Sequence, residues 1–174
     1  TDFDLKQHQE FSGKKLQYFD NELNESYTPC VVETSIGLDR MFLAIISNSL
    51  REEILENNSK RTVLKIPPFL SPYKVAILPL VKKDDLPQIA KDIYNTLKLE
   101  FNVIYDEKDA VGRRYRRQDA IGTPYCITID HQTKDDNTIT IRERDSMQQN
   151  RILLTDISKH IKKMVSFSST ITKK

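Results

Sequence analysis

The central segment of the chain reads Gly112-Arg113-Arg114-Tyr115-Arg116-Arg117-Gln118-Asp119-Ala120-Ile121-Gly122-Thr123-Pro124-Tyr125. Its four arginines fall within five residues and surround one tyrosine. Glycine adopts the left-handed conformation at little cost and proline cannot continue a helix, so Gly122 and Pro124 predict the end of a short basic helix and the start of a strand. Guanidinium groups beside an aromatic ring suit phosphates and unstacked bases. A solvated charged face is the alternative interpretation of these arginines.

Composition describes a globular protein with a modest core. The 174 residues are 38% hydrophobic and 30% charged, with a net charge of +2. So small a net charge means that a nucleic-acid surface requires local clustering of cations. Cys30 and Cys126 lie in apolar runs and are predicted to be reduced core residues. The scattered histidines and the lack of a CxxC spacing predict no metal site, and no apolar run is long enough to cross a membrane.

Hydrophobic patterns in the second part of the chain alternate between strand and helix. Strands are predicted at 75–81, 102–106, 125–130, 138–144 and 151–154, and helices at 86–97, over the basic segment and at 157–165. Asp84 and Asp85 are predicted to cap the first of these helices. This order predicts an α/β fold, a mixed β-sheet of about five strands with about three helices packed on it.

The first part of the chain predicts a smaller unit. Two β-prone runs, 15–19 and 27–33, flank an acidic turn and predict a hairpin. A strand, a glycine turn and an apolar helix are expected over 33–46. The polar stretch 48–61 is predicted as a frayed helix end and a linker, and the tail Ser166–Lys174 as disordered.

Strand alternation over 138–145 separates two faces. Ile139 and Ile141 are expected to face the helices, while Arg142 and Arg144 face the opposite, polar side. If the basic helix borders that side, the domain carries a cationic shelf. The alternative is that both arginines pair with Glu143, Asp145 or Asp119.

Several motifs now agree in order and spacing. They are Thr1-Asp2-Phe3-Asp4-Leu5 with His8, Glu33-Thr34-Ser35-Ile36-Gly37-Leu38-Asp39-Arg40, the segment 112–125, and the strand 138–147. From Thr1 to about Met164 the chain resembles the C-terminal part of the glycyl-tRNA synthetases of the homodimeric class II type, and it is closer to their bacterial form than to their animal form.

The resemblance implies three parts. Residues 1–47 would be the remnant of a class II catalytic domain with its third motif, 48–61 a linker, and 62–174 an anticodon-binding domain. The parent enzyme would attach glycine to tRNA(Gly) using ATP with Mg²⁺, as a homodimer, in the cytoplasm, with an organellar form left open. The alternative is a non-catalytic paralogue that uses this fold as an accessory or scaffold subunit binding nucleic acid or protein.

The resemblance also implies roles for single residues. Arg40 would contact the ATP phosphates, and Glu33 and Ser35 would lie beside the bound glycine. Thr34 departs from a proline common in the family, and Ala120 from an acidic residue. The residues expected to bind the tRNA anticodon arm are Arg113, Arg114, Arg116, Arg117, Gln118, Asp119, Arg142 and Arg144.

Within that set we expect different roles. Arg113 and Arg114 would bind phosphates, and Arg142 and Arg144 would read bases from a rigid strand. Gln118 and Asp119 would accept hydrogen bonds from the two cytosines that glycine anticodons share. The first and second class-defining motifs are not in this sequence, so the 174 residues alone are expected to be inactive and to need no cofactor.

Overall fold

A computed structural model describes residues 1–56 and 58–168. The chain divides into two compact units, Thr1–Met41 and Phe42–Lys174. The first unit begins with a helix that the sequence patterns did not predict, α1 (Phe3–Ser12), whose C-cap is Gly13 in the left-handed conformation. No residue of α1 is buried, so the helix lacks the apolar face by which such elements are found.

The predicted hairpin of the first unit is present, with shorter strands. Strands β1 (Tyr18–Asp20) and β2 (Glu25–Tyr27) pair antiparallel, and the rings of Tyr18 and Tyr27 meet edge to face at 5.8 Å. Residues 28–37 are irregular, so the strand expected near residue 33 is wrong. Cys30 is exposed, which corrects its assignment to a core. Helix α2 (Leu38–Ser49) follows.

The polar stretch after α2 forms a second hairpin. Strands β3 (Leu50–Ile54) and β4 (Lys60–Leu64) pair antiparallel, so the expected frayed helix end and unstructured linker are wrong. The reason lies in β4, where Arg61 and Val63 are buried while their neighbours face outward. Because alternate side chains of β4 enter the interior, this segment is a structural part of the second unit.

The predicted α/β order is confirmed in the rest of the second unit. Its elements are β5 (Val75–Pro79), α3 (Leu86–Leu97), β6 (Val103–Tyr105), α4 (Val111–Ile121), β7 (Tyr125–Ile129), α5 (His131–Asp136), β8 (Thr138–Glu143), β9 (Gln149–Leu153) and α6 (Ile157–Val165). The five-stranded sheet has the order β6-β5-β7-β8-β9. The pairs of β5 with β6 and β7 are parallel, and the remaining two pairs are antiparallel. The sheet is therefore mixed, as predicted.

The two faces of the sheet carry different cores. Alternate residues such as Ile77 and Ile127 pack with buried residues of α3 and α6. The other face contributes a smaller cluster, Ala76, Leu78 and Cys126, against which Tyr115 of α4 packs. Helix α4 therefore covers the opposite face from α3 and α6. The connection from β5 through α3 to β6 and the connection from β6 through α4 to β7 run across the sheet in opposite directions. Because both crossovers are right-handed, their helices lie on opposite faces.

Some local predictions fail. Asp85 precedes α3, but in the described structure its side chain makes no capping hydrogen bond, because its backbone is left-handed with φ of 61°. A capping hydrogen bond is present at a different helix, the short α5, where the side chain of Asp130 accepts from the backbone N–H of Thr133 at 3.1 Å. Of the tail predicted as disordered, residues 169–174 lie outside the described residues.

The turn after α4 has no room for a side chain. Gly122 has φ of 86°, and a Cβ there would lie 2.9 Å from Ile66 Cγ2 and 3.2 Å from the Leu64 carbonyl oxygen. We expect Gly122→Ala to lower the free energy of unfolding, measured by urea denaturation, by at least about 2 kcal/mol through strain and overpacking. Gly112→Ala is the control, since no heavy atom lies within 4 Å of its Cβ position. Equal stability of the two variants would contradict this account.

Candidate nucleic-acid interface

Helix α4 divides its four arginines between the interior and the surface. Arg114 is 2% exposed, Arg113 is exposed, and the side chains of Arg116 and Arg117 are each 41% exposed. Arg114 and Gln118 are four residues apart and lie on the face that α4 turns toward the sheet. The run of arginines is therefore not one uniform cationic surface.

Arg114, the inward-facing arginine, connects two segments of the second unit through its hydrogen bonds. Arg114 donates from Nε and Nη2 to the carbonyl oxygen of Asp109, at 3.0 and 2.7 Å, and from Nη1 to the carbonyl oxygen of Pro79. These contacts hold the loop before α4 against the end of β5. The guanidinium is thus used internally and does not reach solvent as the expected phosphate ligand.

Asp119 is the centre of a buried ionic cluster. Its side chain is 0% exposed and accepts two hydrogen bonds from Arg142, at 2.8 and 3.1 Å. Arg61 of β4 donates a third, at 3.2 Å. Arg61 is itself 1% exposed, and its other contacts are with the carboxylate of Glu53 and the carbonyl oxygen of Arg144 at 2.8 Å. We refer to Arg61, Asp119 and Arg142 as the buried ionic cluster.

An aromatic ring completes the surroundings of Arg142. The guanidinium lies 4.8 Å from the centre of the Tyr115 ring, and the Tyr115 hydroxyl is 2.6 Å from Thr128 Oγ1. Burial lowers the pKa of Arg142, but the hydrogen bonds and charge of Asp119 outweigh it, so the pKa lies above its ordinary value. Arg142 therefore stays charged within the protein.

The cationic shelf predicted from strand alternation is not formed by these side chains. Arg142 and Arg144 are 4% and 2% exposed. Arg144 donates to Asp145 at 2.7 and 2.9 Å and to the Gly122 carbonyl oxygen at 2.9 Å. The alternative, pairing with Asp119 and Asp145, is what the structure contains. The predicted facing of Ile139 and Ile141 is correct, but α4 covers the polar side of the sheet at Arg142.

The two predicted hydrogen-bond acceptors of α4 are also occupied. Gln118 is 2% exposed, and its Oε1 accepts from the Thr123 hydroxyl at 2.8 Å. Within residues 1–56 and 58–168, the hydrogen bonds that the Asp119 side chain accepts come from Arg61 and Arg142. Neither side chain is presented to an external base in this arrangement.

Arg116 differs from the other members of the set. Its Nη1 is buried 3.6 Å from Asp119 Oδ2, and among residues 1–56 and 58–168 it has no hydrogen-bond partner. Asp119 is already engaged by two other guanidinium groups. The ion pair of Arg116 with Asp119 is therefore long, and with 41% of its side chain exposed Arg116 can offer its remaining N–H groups to an external acceptor.

The two remaining arginines of α4 differ in local charge. Arg117 pairs with Asp106 and Asp109, each at 2.8 Å. Within the described part of the chain, no ion pair joins the exposed side chain of Arg113. Arg113 and Arg116 are therefore the α4 cations least satisfied by the protein itself.

Two further arginines of this face are not among the predicted site residues. Arg61 lies in the segment predicted as a linker, and no local pattern distinguishes its buried guanidinium from an exposed one. Arg151 of β9 donates to Asp130 at 2.7 Å and to Thr138 Oγ1 at 2.8 Å, and this pairing holds the pKa of Asp130 below its ordinary value. Strand alternation could have placed Arg151 on the α4 side of the sheet.

The residues expected to act in catalysis lie in the first unit. Glu33 and Ser35 are in the irregular segment 28–37, and Arg40 is in the first turn of α2. All three side chains are exposed. Their roles stay predictions.

Comparison with known proteins identifies the fold family. The model of the anticodon binding domain matches residues 74–164, more than half of the chain. The chain belongs to the anticodon-binding domain family. The matched residues run from the start of β5 to α6, so they contain the whole five-stranded sheet and helix α4.

Relatives of this chain include proteins named glycine–tRNA ligase, which confirms the resemblance drawn from its motifs. It is 52% identical to that of Clostridium tetani over 167 residues, covering 96% of this chain and 36% of the relative. It is 49% identical to that of Borreliella burgdorferi over 162 residues, covering 92% and 36%. The chain thus spans about a third of the length of these curated relatives.

A solved structure supports the fold. The RNA binding domain of threonyl-tRNA synthetase from Cryptosporidium parvum matches with a TM-score of 0.52 at 22% identity, covering 57% of this chain and 25% of that one. At this identity the match concerns the fold alone. Among the residues the structure describes, no helix combines the length and apolarity needed to span a bilayer.

The buried ionic cluster predicts an asymmetric response to loss of charge. Asp119→Asn leaves the buried Arg142 without a carboxylate partner and Arg61 with Glu53 alone, so we expect a loss of about 3 kcal/mol in the free energy of unfolding. Chemical denaturation measures the change. Glu100→Gln is the control, because Glu100 pairs with Lys162 on the surface, and its stability should stay close to wild type. A similar small loss in both variants would contradict the role given to Asp119.

Proposed function

We propose that this chain is the RNA-binding region of a glycine–tRNA ligase and binds the anticodon arm of tRNA(Gly). The observation that carries the proposal is the pair of α4 cations that the protein itself satisfies least, the exposed Arg113 and the 41% exposed side chain of Arg116. Phosphate oxygens and base edges supply the acceptors these groups lack. The family match and the names of the relatives support the same partner.

The residues of the predicted anticodon set act in two ways in this proposal. Arg113 and Arg116 contact RNA directly, while Arg117 contributes less because two carboxylates already neutralise it. The role of Arg114, Arg142 and Arg144 is indirect: these residues are buried, and their hydrogen bonds hold α4 and β8 in place. Gln118 and Asp119 hold the end of α4 in place and do not accept from cytosines in this arrangement.

The whole enzyme would use ATP with Mg²⁺ to attach glycine to tRNA(Gly), as a cytoplasmic homodimer. Arg40 would contact the ATP phosphates, and Glu33 and Ser35 the glycine. We assign residues 1–47 to the catalytic domain and 62–174 to the anticodon-binding domain. The accessory-subunit alternative gains no support from the relatives named above.

RNA binding should distinguish Arg113 from Arg117. Arg113→Ala should weaken binding of an anticodon stem-loop and of its cytosine-substituted forms about equally, and should flatten the log–log salt dependence by about one unit, because one phosphate contact is lost. Arg117→Ala is the matched control and should change the slope less. Fluorescence anisotropy over a range of KCl concentrations measures both. Identical slopes for the two variants, or binding independent of salt, would refute the assignment.

Catalysis should require the rest of the ligase. The 174-residue chain is expected to show no glycine-dependent exchange between ATP and pyrophosphate, while the full-length ligase does. In the full-length ligase, Arg40→Ala should reduce exchange at least about 100-fold, as loss of one transition-state contact does, with tRNA binding nearly intact. Arg51→Ala, at an exposed arginine of β3, is the control. Normal exchange in Arg40→Ala would disprove the role.

A further inference from the structure

A cavity of about 310 Å³ lies on the sheet face opposite α4. Its walls come from the start of β7, the end of β8, the start of β9 and the last turns of α6. Ile141 and Met164 supply apolar surface, and Gln148 and Asn150 supply amide groups. A few convergent polar groups around an apolar surface are the usual composition of a small-ligand site.

Tyr125 is one of the polar residues that line this cavity. The residue is 4% exposed, and in the described part of the chain no hydrogen bond joins its hydroxyl to another residue. Burial raises the pKa of Tyr125 to about 12, and the nearby carboxylates Glu143 and Asp145 act in the same direction. The hydroxyl therefore stays protonated and neutral, so it can both donate and accept a hydrogen bond.

The charged groups of the cavity come from α6 and β8. Lys163 is exposed and His160 is half-buried, three residues apart on α6. Glu143 lies on β8, opposite Tyr125, and accepts from the Ser146 hydroxyl at 2.6 Å. The lining thus combines a neutral hydroxyl and two amides with the exposed cation of Lys163.

We propose that this cavity binds a single nucleotide, with the base against Ile141 and Met164, the base edge at the Tyr125 hydroxyl and the phosphate at Lys163. A flat heterocycle matches the apolar surface, and its edge supplies both donors and acceptors for the amides and the hydroxyl. The cavity lies at the small end of the range for ligand pockets, which suits one nucleotide.

Two sources could supply this chemistry, a free mononucleotide or an unpaired nucleotide of an RNA. The site lies on the other face of the sheet from Arg113 and Arg116, so it adds to the proposed function and does not depend on it. If RNA binding at α4 fails, nucleotide binding in the cavity can still be tested by its own experiment, and the reverse also holds.

The test is titration of the 174-residue chain with the four ribonucleoside 5′-monophosphates, followed by isothermal calorimetry and ligand-observed NMR. At least one should bind, and ribose 5-phosphate and inorganic phosphate should bind at least tenfold more weakly. Tyr125→Phe removes only the hydroxyl and should weaken binding about fivefold, the value of one hydrogen bond. Lys163→Gln should weaken binding of the nucleotide, but it should leave binding of the corresponding nucleoside unchanged, because the nucleoside has no phosphate. Arg51→Ala, at an exposed arginine of β3 outside the cavity lining, should leave nucleotide binding unchanged.

Competition identifies the source. If an anticodon stem-loop or a single-stranded oligonucleotide displaces the mononucleotide from wild type, RNA supplies the nucleotide, and if neither does, the free nucleotide is the ligand. Equal binding of ribose 5-phosphate, or unchanged affinity in both Tyr125→Phe and Lys163→Gln, would overturn the proposal. A variant ending at Ser168 is measured in parallel, and binding seen only in that variant would also overturn it for the intact chain.

Discussion

The carboxylate of Asp119 is the group on which the second unit depends. It has no exposure to solvent, and an isolated charge in that position would cost several kcal/mol. Arg142 and Arg61 compensate it with three hydrogen bonds, and their own buried charges require it in return. The three residues belong to α4, β8 and β4, so their mutual dependence ties the second hairpin and the five-stranded sheet to one helix.

The same cluster explains why the arginines of α4 differ from one another. A helix turns about 100° per residue, so a run of neighbouring arginines cannot share one environment. Asp119 and Gln118 fix the inner face, which leaves Arg113 and Arg117 outside and Arg116 at the boundary. Gly122 ends the helix against Leu64 and Ile66, and this close approach sets the depth to which α4 can pack.

Much of the fold could be predicted from sequence, because the decisive signals are local. Gly122 and Pro124 mark the end of a helix, and the alternation of β8 assigns Ile139 and Ile141 to one face. The burial of Arg142 could not be predicted, because its partner is 23 residues away and either an exposed or a paired guanidinium fits the same alternation. Arg61 shows the limit more strongly, since its contact with Asp119 spans 58 residues and its segment reads as polar. Charge pattern identifies a basic surface, but long-range pairing decides which charges remain on it.

Side chains alternate between the two faces along each strand, and this places different kinds of polar group on the two faces of the sheet. On the α4 side, guanidinium groups are satisfied by carboxylates, and the charge that remains belongs to side chains at the edge of the helix. On the α6 side, the polar groups near Tyr125 are mainly neutral and surround a cavity. Because Cys126 and Tyr125 are adjacent on β7 and point to opposite faces, a shift of that strand disturbs the ionic cluster and the cavity together. The register of β7 is thus the constraint that both faces share, and Gly122 and Pro124, directly before it, determine where that register begins.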